Sequence, residues 1–383
     1  MSLELLTDIL IATVPLALIF STLFAFTTWL ERKTLARIQN RIGPNKVGIP
    51  CTRISLFGLG QPAADGIKMI FKEDIVPKGA DRLFHLLAPI LALIPAMLVL
   101  CFLPLKFPWT ESLLPVQAFL LDSAVIFFFA ITGINTIAVF MAGWASRNKY
   151  SLLGGMRAIA QMVSYEIPLV LSAVIVVMRV GSLNAAEIAG AQAGGNWFIF
   201  SPWGLTAFVI FFIAALAETN RSPFDLPEAE SELVAGYFTE YSGFKFALFF
   251  LAEYISIFAI SGLAVTLFLG AGNGPGLPNL PWLSIVCFLV KVFVLIAIMI
   301  WLRGTLPRLR VDQLMGFAWK FLLPLSIVNI LVAGFAWHAQ QQENTIITVI
   351  TWLVAIIVLY STAKGLNQLS RAKLKMREYK YAE

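Results

Sequence analysis

The sequence predicts an all-α fold, a polytopic membrane helix bundle of about nine transmembrane helices with one amphipathic helix on its inner side. Its 383 residues are 59% hydrophobic and only 13% charged, whereas a soluble domain carries about 25% charged residues. Apolar runs close to the roughly 20 residues that a membrane helix needs recur along the whole chain. We therefore treat residues 1–383 as a single integral membrane domain.

The predicted spans follow one another from the N-terminus. They lie at roughly 9–30, 84–104, 118–142, 159–179, 203–219, 246–270, 282–302, 317–337 and 345–363. The fifth run is short and is the least distinct of the nine. Acidic Glu4 and Asp8 precede the first run, where a cleavable signal peptide would be basic, so we expect no cleaved signal.

The distribution of basic residues predicts the orientation of the spans. Ten Lys and Arg lie in 31–82, three in 144–158, two in 220–245, four in 303–320 and six in the tail 364–383. Because basic loops stay on the cytoplasmic side, we expect the N-terminus outside and the C-terminus inside, which requires an odd number of spans. Chain length and the lack of a transit segment favour a bacterial inner membrane.

The inner loop 31–82 contains the predicted amphipathic helix. Pro62 suits the first turn of a helix. At helical spacing, one face carries Ala63, Ile67, Ile70 and Phe71, and the other carries Asp65, Lys68, Lys72 and Glu73. Such a helix lies in the membrane interface, or alternatively packs on a partner as a loop helix. The flanking spans favour the interface.

The acidic inner loop, residues 218–240, is the most unusual segment of this basic chain. Within its first part, residues 218–237, five carboxylates surround the single cation Arg221: Glu218, Asp225, Glu228, Glu230 and Glu232. Clustered carboxylates repel one another, and a nearby region of low dielectric raises their pKa further. We interpret the loop as an element at the membrane edge that responds to protons and charge. The alternative is a solvated helix start in which Asp225 and Glu228 form a capping box.

Further acidic residues lie in or beside the predicted spans: Glu166, Glu218, Glu240 and Glu253. A carboxylate at membrane depth is costly unless it is protonated, paired or hydrated. Four such groups on several helices suggest a hydrated polar path through the bundle, although any one of them could be a hydrogen-bonded structural acid. Lys291 also falls inside a span, where it could pair with an acid or extend toward the membrane surface.

The remaining residues exclude several kinds of chemistry. Cys51, Cys101 and Cys287 lie far apart without metal-ligand spacing, which argues against a disulfide framework, a metal site or an iron–sulfur cluster. His85 and His338 are lone histidines at helix edges, a position more typical of interfacial residues than of haem ligands. Lipid headgroups and partner subunits explain the basic loops as well as nucleic acid does. We therefore expect no bound metal and no nucleic acid.

Short motifs across the chain resemble the quinone-site membrane subunit of respiratory complex I, the NADH:quinone oxidoreductase of respiratory chains. The matching stretches are Glu31-Arg-Lys33, Arg41-Ile-Gly-Pro-Asn45, Gly60-Gln-Pro-Ala-Ala-Asp-Gly-Ile-Lys68, Phe71-Lys-Glu-Asp74, Gly143-Trp-Ala-Ser146, Asn148-Lys-Tyr-Ser-Leu-Leu-Gly154, Ala160-Gln-Met-Val-Ser-Tyr-Glu166, the acidic segment 218–237 and Pro307-Arg-Leu-Arg-Val-Asp312. They occur in order and cover nearly the whole chain, and the acidic segment is the most specific of them.

The resemblance implies a role for each group of residues. The positions near a quinone tunnel are Glu31, Arg32, Arg41, Asp65 and Lys68, and those in the loop beneath the quinone include Arg221, Phe224, Asp225, Glu228 and Glu230. Glu166, Glu218, Glu240 and Glu253 would pass charge toward antiporter-like membrane subunits, and the resemblance places a soluble iron–sulfur partner at the tunnel. Ubiquinone or menaquinone would be the substrate.

Two other functions compete with this one. The related membrane subunit of energy-converting hydrogenases need not bind quinone, but its acidic loop is usually sparser than the run from Asp225 to Glu232. A stand-alone ion transporter often shows an internal repeat, and we find none in this sequence.

Overall fold

The chain folds into a bundle of long helices. The structure is a computed structural model that describes residues 22–48, 55, 57–100, 103, 122–226, 235–274, 281–340 and 345–372. These residues form helices and connections without any β-strand. The all-α membrane bundle that the sequence predicts is therefore confirmed.

Twelve α-helices lie within these described residues. They are α1 (22–38), α2 (Gln61–Phe71), α3 (Arg82–Leu100), α4 (Ala124–Ala145), α5 (Lys149–Val180), α6 (Ala185–Ala191), α7 (Pro202–Glu218), α8 (Gly243–Phe268), α9 (Pro281–Thr305), α10 (Val311–Phe317), α11 (Leu323–Gln340) and α12 (Thr345–Ala372). A single π turn, Ala318–Leu322, joins α10 to α11.

Seven helices in the described residues are long and apolar enough to cross a membrane. They correspond to the predicted spans except the first and the fifth. The fifth is α7, which bends by 67° from the segment Ala193–Phe200 and with it makes one further candidate. The first predicted span lies mostly outside the described residues, where only α1 continues it. The count of nine therefore stays a prediction.

Helix α5 is longer than the predicted span 159–179. It begins at Lys149 because the Asn148 side chain accepts a hydrogen bond from the Tyr150 amide at 3.0 Å and caps the helix. Its first turns pack tightly against the chain, since a Cβ on Gly154 would lie 2.6 Å from Gly236. Hydropathy reports the apolar part of a helix only, so it missed these polar turns.

The amphipathic helix forms as α2, with Pro62 in its first turn. Its apolar residues Ile67, Ile70 and Phe71 are exposed, Phe71 by 85%. Within the described chain this face is therefore not packed into the core, which agrees with a helix that contacts lipid or another protein. Its end is tied to the bundle by the Ser242 hydroxyl, which donates to the Glu73 carbonyl at 3.2 Å.

The core is built around α8, which packs against α3, α7 and α9. Nearly every residue of α8 from Ile255 to Phe268 is buried. We call the end of the bundle that carries the loop 219–226 and Arg303 the site end. The opposite end, which carries residues 181–201 and 269–273, is the distal end. Helices α5 and α8 run from the site end to the distal end, and α7 returns.

Candidate functional site

The loop 219–226 is held in place by one buried amide on α5. The Gln161 Nε2 atom donates to the carbonyls of Ala217 at 2.8 Å and Phe224 at 2.7 Å. It also lies 3.2 Å from the Asn220 Oδ1 atom. The Phe224 ring packs edge-on against Tyr165, with 5.4 Å between centroids. The loop is thus a fixed part of the bundle.

Glu31 is the centre of a buried charge network at the site end. Its Oε1 atom accepts hydrogen bonds from Arg221, at 3.2 Å, and from Arg303. Its Oε2 atom accepts one from the Tyr254 hydroxyl at 2.7 Å. The Arg221 guanidinium also lies over the Tyr254 ring, 4.2 Å from its centre. The Glu31 carboxylate therefore joins α1, the loop, α8 and α9. The side chains of Glu31, Arg221 and Arg303 together carry a charge of +1.

An open pocket adjoins this network, with about 370 Å³ of empty space, part of which is open to solvent. Its polar lining consists of Thr27, Glu31, Arg221, Tyr254 and Arg303, and its apolar lining consists of Ile257, Phe258, Ile296, Met299 and Ile300. A chamber with a charged end and a long apolar wall suits an amphiphilic molecule whose polar group accepts hydrogen bonds.

Asp225 is the carboxylate within the loop 219–226. It is buried, and its Oδ2 atom accepts a hydrogen bond from Arg308 Nη2 at 2.9 Å. Burial raises the pKa of Asp225, and the Arg308 guanidinium opposes that rise. The same stretch of backbone is tied by the Leu309 amide, which donates to the Pro223 carbonyl at 3.3 Å. Asp225 is therefore a carboxylate whose protonation is sensitive to its surroundings.

Three of the predicted tunnel residues lie on the surface near this network. Arg32 pairs with Asp65 at 2.5 Å, with side chains 52% and 32% exposed, so the pair adds little stability. Arg41 and Lys68 are exposed as well, and Arg41 donates to Gln39 at 2.7 Å. Of the predicted tunnel residues in the described chain, only Glu31 and Arg221 line the cavity.

The predicted acidic path is partly brought together. Glu218 is buried at the end of α7 and lines a second cavity with Thr132, Asn135 and Ser256, among others. Glu166 is close enough for its charge to act on Glu218.

Two further acids of the path each have a hydrogen-bond donor. Glu253 accepts from the Tyr237 hydroxyl at 3.1 Å, and Glu240 accepts from the Asn148 amide at 2.6 Å. The polar groups around these acids fit hydrated or hydrogen-bonded carboxylates.

Part of the predicted site lies outside the described residues, namely Glu228, Glu230 and Glu232. Their predicted helix and capping box remain predictions. Within the described chain, no group of three or more His, Cys, Asp or Glu side chains could hold a metal ion. His85 is fully buried and stacks on Tyr241, with 4.1 Å between the ring centroids. Its position at the membrane interface stays a prediction.

Sequence reasoning missed four residues that organise the site: Gln161, Tyr254, Arg303 and Arg308. The first stands in a motif next to Glu166, and Tyr254 directly follows Glu253. Arg303 lies in the last turn of α9, and Arg308 stands after it in the motif Pro307-Arg-Leu-Arg-Val-Asp312, but the sequence assigns neither of them a role in the site. Their signal was the need of Glu31 and Asp225 for cations, since a buried carboxylate is costly without a partner.

Comparison with known proteins decides the family. A family model described as NADH dehydrogenase matches residues 11–334. This chain belongs to that family. A subunit of the NADH-quinone oxidoreductase of Geobacillus kaustophilus is 48% identical over 327 residues, covering 84% of this chain and 93% of the relative.

Two other relatives of the NADH dehydrogenase family match over a similar extent. The corresponding subunit from Dehalococcoides mccartyi strain CBDB1 is 45% identical over 87% of this chain and 89% of its own length. The one from Geobacter metallireducens is 47% identical over 86% of this chain and 97% of its own length. Both carry the name NADH-quinone oxidoreductase, so the resemblance predicted from the motifs is confirmed.

Proposed function

We propose that this chain is the membrane subunit of a proton-translocating NADH:quinone oxidoreductase, and that the cavity at Glu31 is part of its quinone tunnel. The single observation that supports the tunnel is the cavity itself, with Arg221 and Arg303 at one end and an apolar wall behind them. A quinone has carbonyl oxygens that accept hydrogen bonds and an apolar tail. Ubiquinone and menaquinone both have this build.

In this proposal the network around Glu31 orients the quinone head. Arg221 and Arg303 supply charged donors for a carbonyl oxygen, and Glu31 keeps both of them in position. Such charge-assisted hydrogen bonds are roughly twice as strong as neutral ones. Phe224 and Asp225 follow Arg221 in the loop that Gln161 fixes, and in this proposal they lie beneath the quinone head without lining the cavity.

In this proposal the exposed residues Arg32, Arg41 and Lys68, with the half-buried Asp65, form the rim of the tunnel mouth. Their exposure is expected of a surface that another subunit covers. We propose that a soluble subunit with an iron–sulfur cluster, together with a quinone-site subunit, covers this rim. The apolar face of α2 would then contact membrane lipid beside it.

The acidic residues form the coupling path of this proposal. Glu166, Glu218, Glu240 and Glu253, with the loop acids Asp225, Glu228, Glu230 and Glu232, carry protons or charge away from the quinone. Support comes from the polar cavity at Glu218 and from the hydroxyl and amide donors on Glu253 and Glu240. Antiporter-like membrane subunits would receive this charge.

We place the chain in a bacterial inner membrane with the site end on the cytoplasmic side. The N-terminus is then outside and the C-terminus cytoplasmic, as the basic loops predict. This orientation puts the tunnel mouth where a soluble partner can reach it. The inner loop 31–82, the acidic loop 218–240 and the tail 364–383 share that side.

Filling the cavity tests the tunnel. Met299 is buried and lines the cavity, whereas its neighbour Ile298 is 37% exposed on the other side of α9. In the assembled complex, Met299→Trp should raise the KM for quinone about tenfold, equivalent to about 1.4 kcal/mol of binding, and weaken quinone-site inhibitors in parallel.

The matched control is Ile298→Trp, which adds the same bulk away from the cavity and should leave the KM near that of the unmodified complex. Equal KM values for the two variants, with normal assembly, would remove the cavity from the quinone route.

A further inference from the structure

Lys291, in the middle of α9, donates hydrogen bonds to three backbone carbonyls. Its Nζ atom donates to the carbonyls of Leu269 at 2.7 Å, Ala271 at 2.9 Å and Asn273 at 2.8 Å. The ammonium also lies 4.3 Å from the centre of the Trp197 ring. An ammonium has three N–H donors, so these carbonyls use all of them. Lys291 therefore holds the turn that follows α8.

The same turn is fastened to its neighbours at the distal end. The Gln192 amide donates to the carbonyls of Thr266 at 3.0 Å and Leu267 at 3.1 Å. The Asn273 amide donates to the carbonyl of Ala189 at 2.8 Å. The last carbonyls of a helix need such partners, because they have none within the helix. Lys291 thus belongs to a clamp that joins α6, α8 and α9.

An apolar plug lies between this clamp and the cavity at Glu218. That cavity is lined by Ala259 and Ile260, and the buried residues that follow on α8 as far as Phe268 are apolar except Ser261 and Thr266. The small pocket beside Leu263 and Thr266 is otherwise lined by apolar side chains. From Ile260 to Leu269 the helix advances about 14 Å at 1.5 Å per residue. The sequence from 261 to 273 contains no titratable side chain.

We propose that Lys291 is a positioning residue that closes the distal end of the acidic path. Its fixed charge repels cations there, and its three hydrogen bonds keep the apolar plug in place. Charge that enters at the site end then leaves the chain sideways, toward a neighbouring membrane subunit. This inference rests on the proposed function of the acidic path.

Passive proton entry into resting vesicles tests the seal. The complete complex is reconstituted with an internal pH dye, and proton uptake after a pH step is followed without NADH or quinone. Lys291→Gln retains hydrogen-bond donors but removes the charge, and should raise uptake on the order of tenfold, the effect of a unit charge about 14 Å from the path at an effective dielectric of about 20. Lys291→Arg keeps the charge and should stay near the unmodified rate.

The double variant of Lys291→Gln with Glu218→Gln separates the seal from the path. Loss of the extra proton uptake in the double variant supports both the seal at Lys291 and the acidic path through Glu218. Extra uptake that survives Glu218→Gln supports the seal and overturns the acidic path of the proposed function. Lys291→Met, which removes the charge and keeps a side chain of similar length, serves if Lys291→Gln does not assemble. Unchanged uptake in an assembled variant that lacks the Lys291 charge, even with a lower Tm, overturns the seal.

Discussion

Replacing Glu31 by Gln removes the negative charge that the buried arginines share. Removing one partner of a buried ion pair costs about 3–5 kcal/mol. The Arg303 side chain is 30% exposed, so water screens part of this cost, and the lower end, about 3 kcal/mol, applies. If the network orients the quinone head, this cost falls on the bound state. A loss of about 3 kcal/mol corresponds to roughly a hundredfold drop in kcat/KM for quinone.

The assay is quinone reduction by the assembled complex, with assembly checked by size and by subunit content. The neighbouring variant Arg32→Gln is the matched control, because it breaks an exposed pair with Asp65 worth about 0–1 kcal/mol and should change kcat/KM less than about fivefold. Tyr254→Phe removes one hydrogen bond to Glu31 and should fall between the two. If Glu31→Gln and Arg32→Gln lower kcat/KM equally, the buried network does not orient the quinone.

Three further predictions concern the loop, the path and the topology. Burial raises the pKa of Asp225, so its protonated form stabilises the fold below the ordinary aspartate pKa of about 3.9 and that stability is lost as pH rises through the raised pKa. Asp225→Asn should remove this pH dependence from thermal unfolding; an unaltered profile would contradict it. Glu166→Gln or Glu253→Gln should lower the ratio of protons moved to quinone reduced in vesicles, because an amide cannot release a proton, and an unchanged ratio would leave both as structural acids. In an otherwise cysteine-free protein, cysteines that replace Lys46 and Pro275 should be labelled from opposite sides of the membrane. Labelling of both from the same side would overturn the nine-span topology.

The apolar spans and the amphipathic helix were predictable because they depend on local composition, whereas the short helices α6 and α10 were not predicted. An apolar run of membrane length specifies a span whatever surrounds it. Two local features predicted the amphipathic helix α2, namely the helical spacing of its apolar residues and Pro62 in its first turn. Boundaries were less accurate, since the start of α5 depends on the Asn148 cap and on close packing between Gly154 and Gly236. Neither feature changes hydropathy.

The pairing within the site was not predictable from the sequence. Glu31 meets Arg221, which is 190 positions away, and Tyr254, which is 223 positions away. Such contacts depend on how α1, α8 and α9 pack, and no local pattern encodes that packing. The motifs gave the residue types, and the fold decided which of them share a cavity. Arg41 and Lys68 stand in motifs as specific as that of Glu31, yet both remain exposed.

The loop 219–226 offers a direct physical route between the two cavities. Arg221 lines the first cavity and Glu218 lines the second, only three positions earlier in the chain. Three residues span at most about 11 Å. At that separation and an effective dielectric of about 20, a unit charge changes the energy of another by about 1.5 kcal/mol, close to a tenfold change in a protonation equilibrium. We therefore expect a charge that appears or disappears beside Arg221 to alter the protonation of Glu218 without any movement of the backbone. Gln161 holds the loop 219–226 at both Ala217 and Phe224. A change of charge within a fixed loop therefore explains coupling between the two cavities better than a movement of the loop.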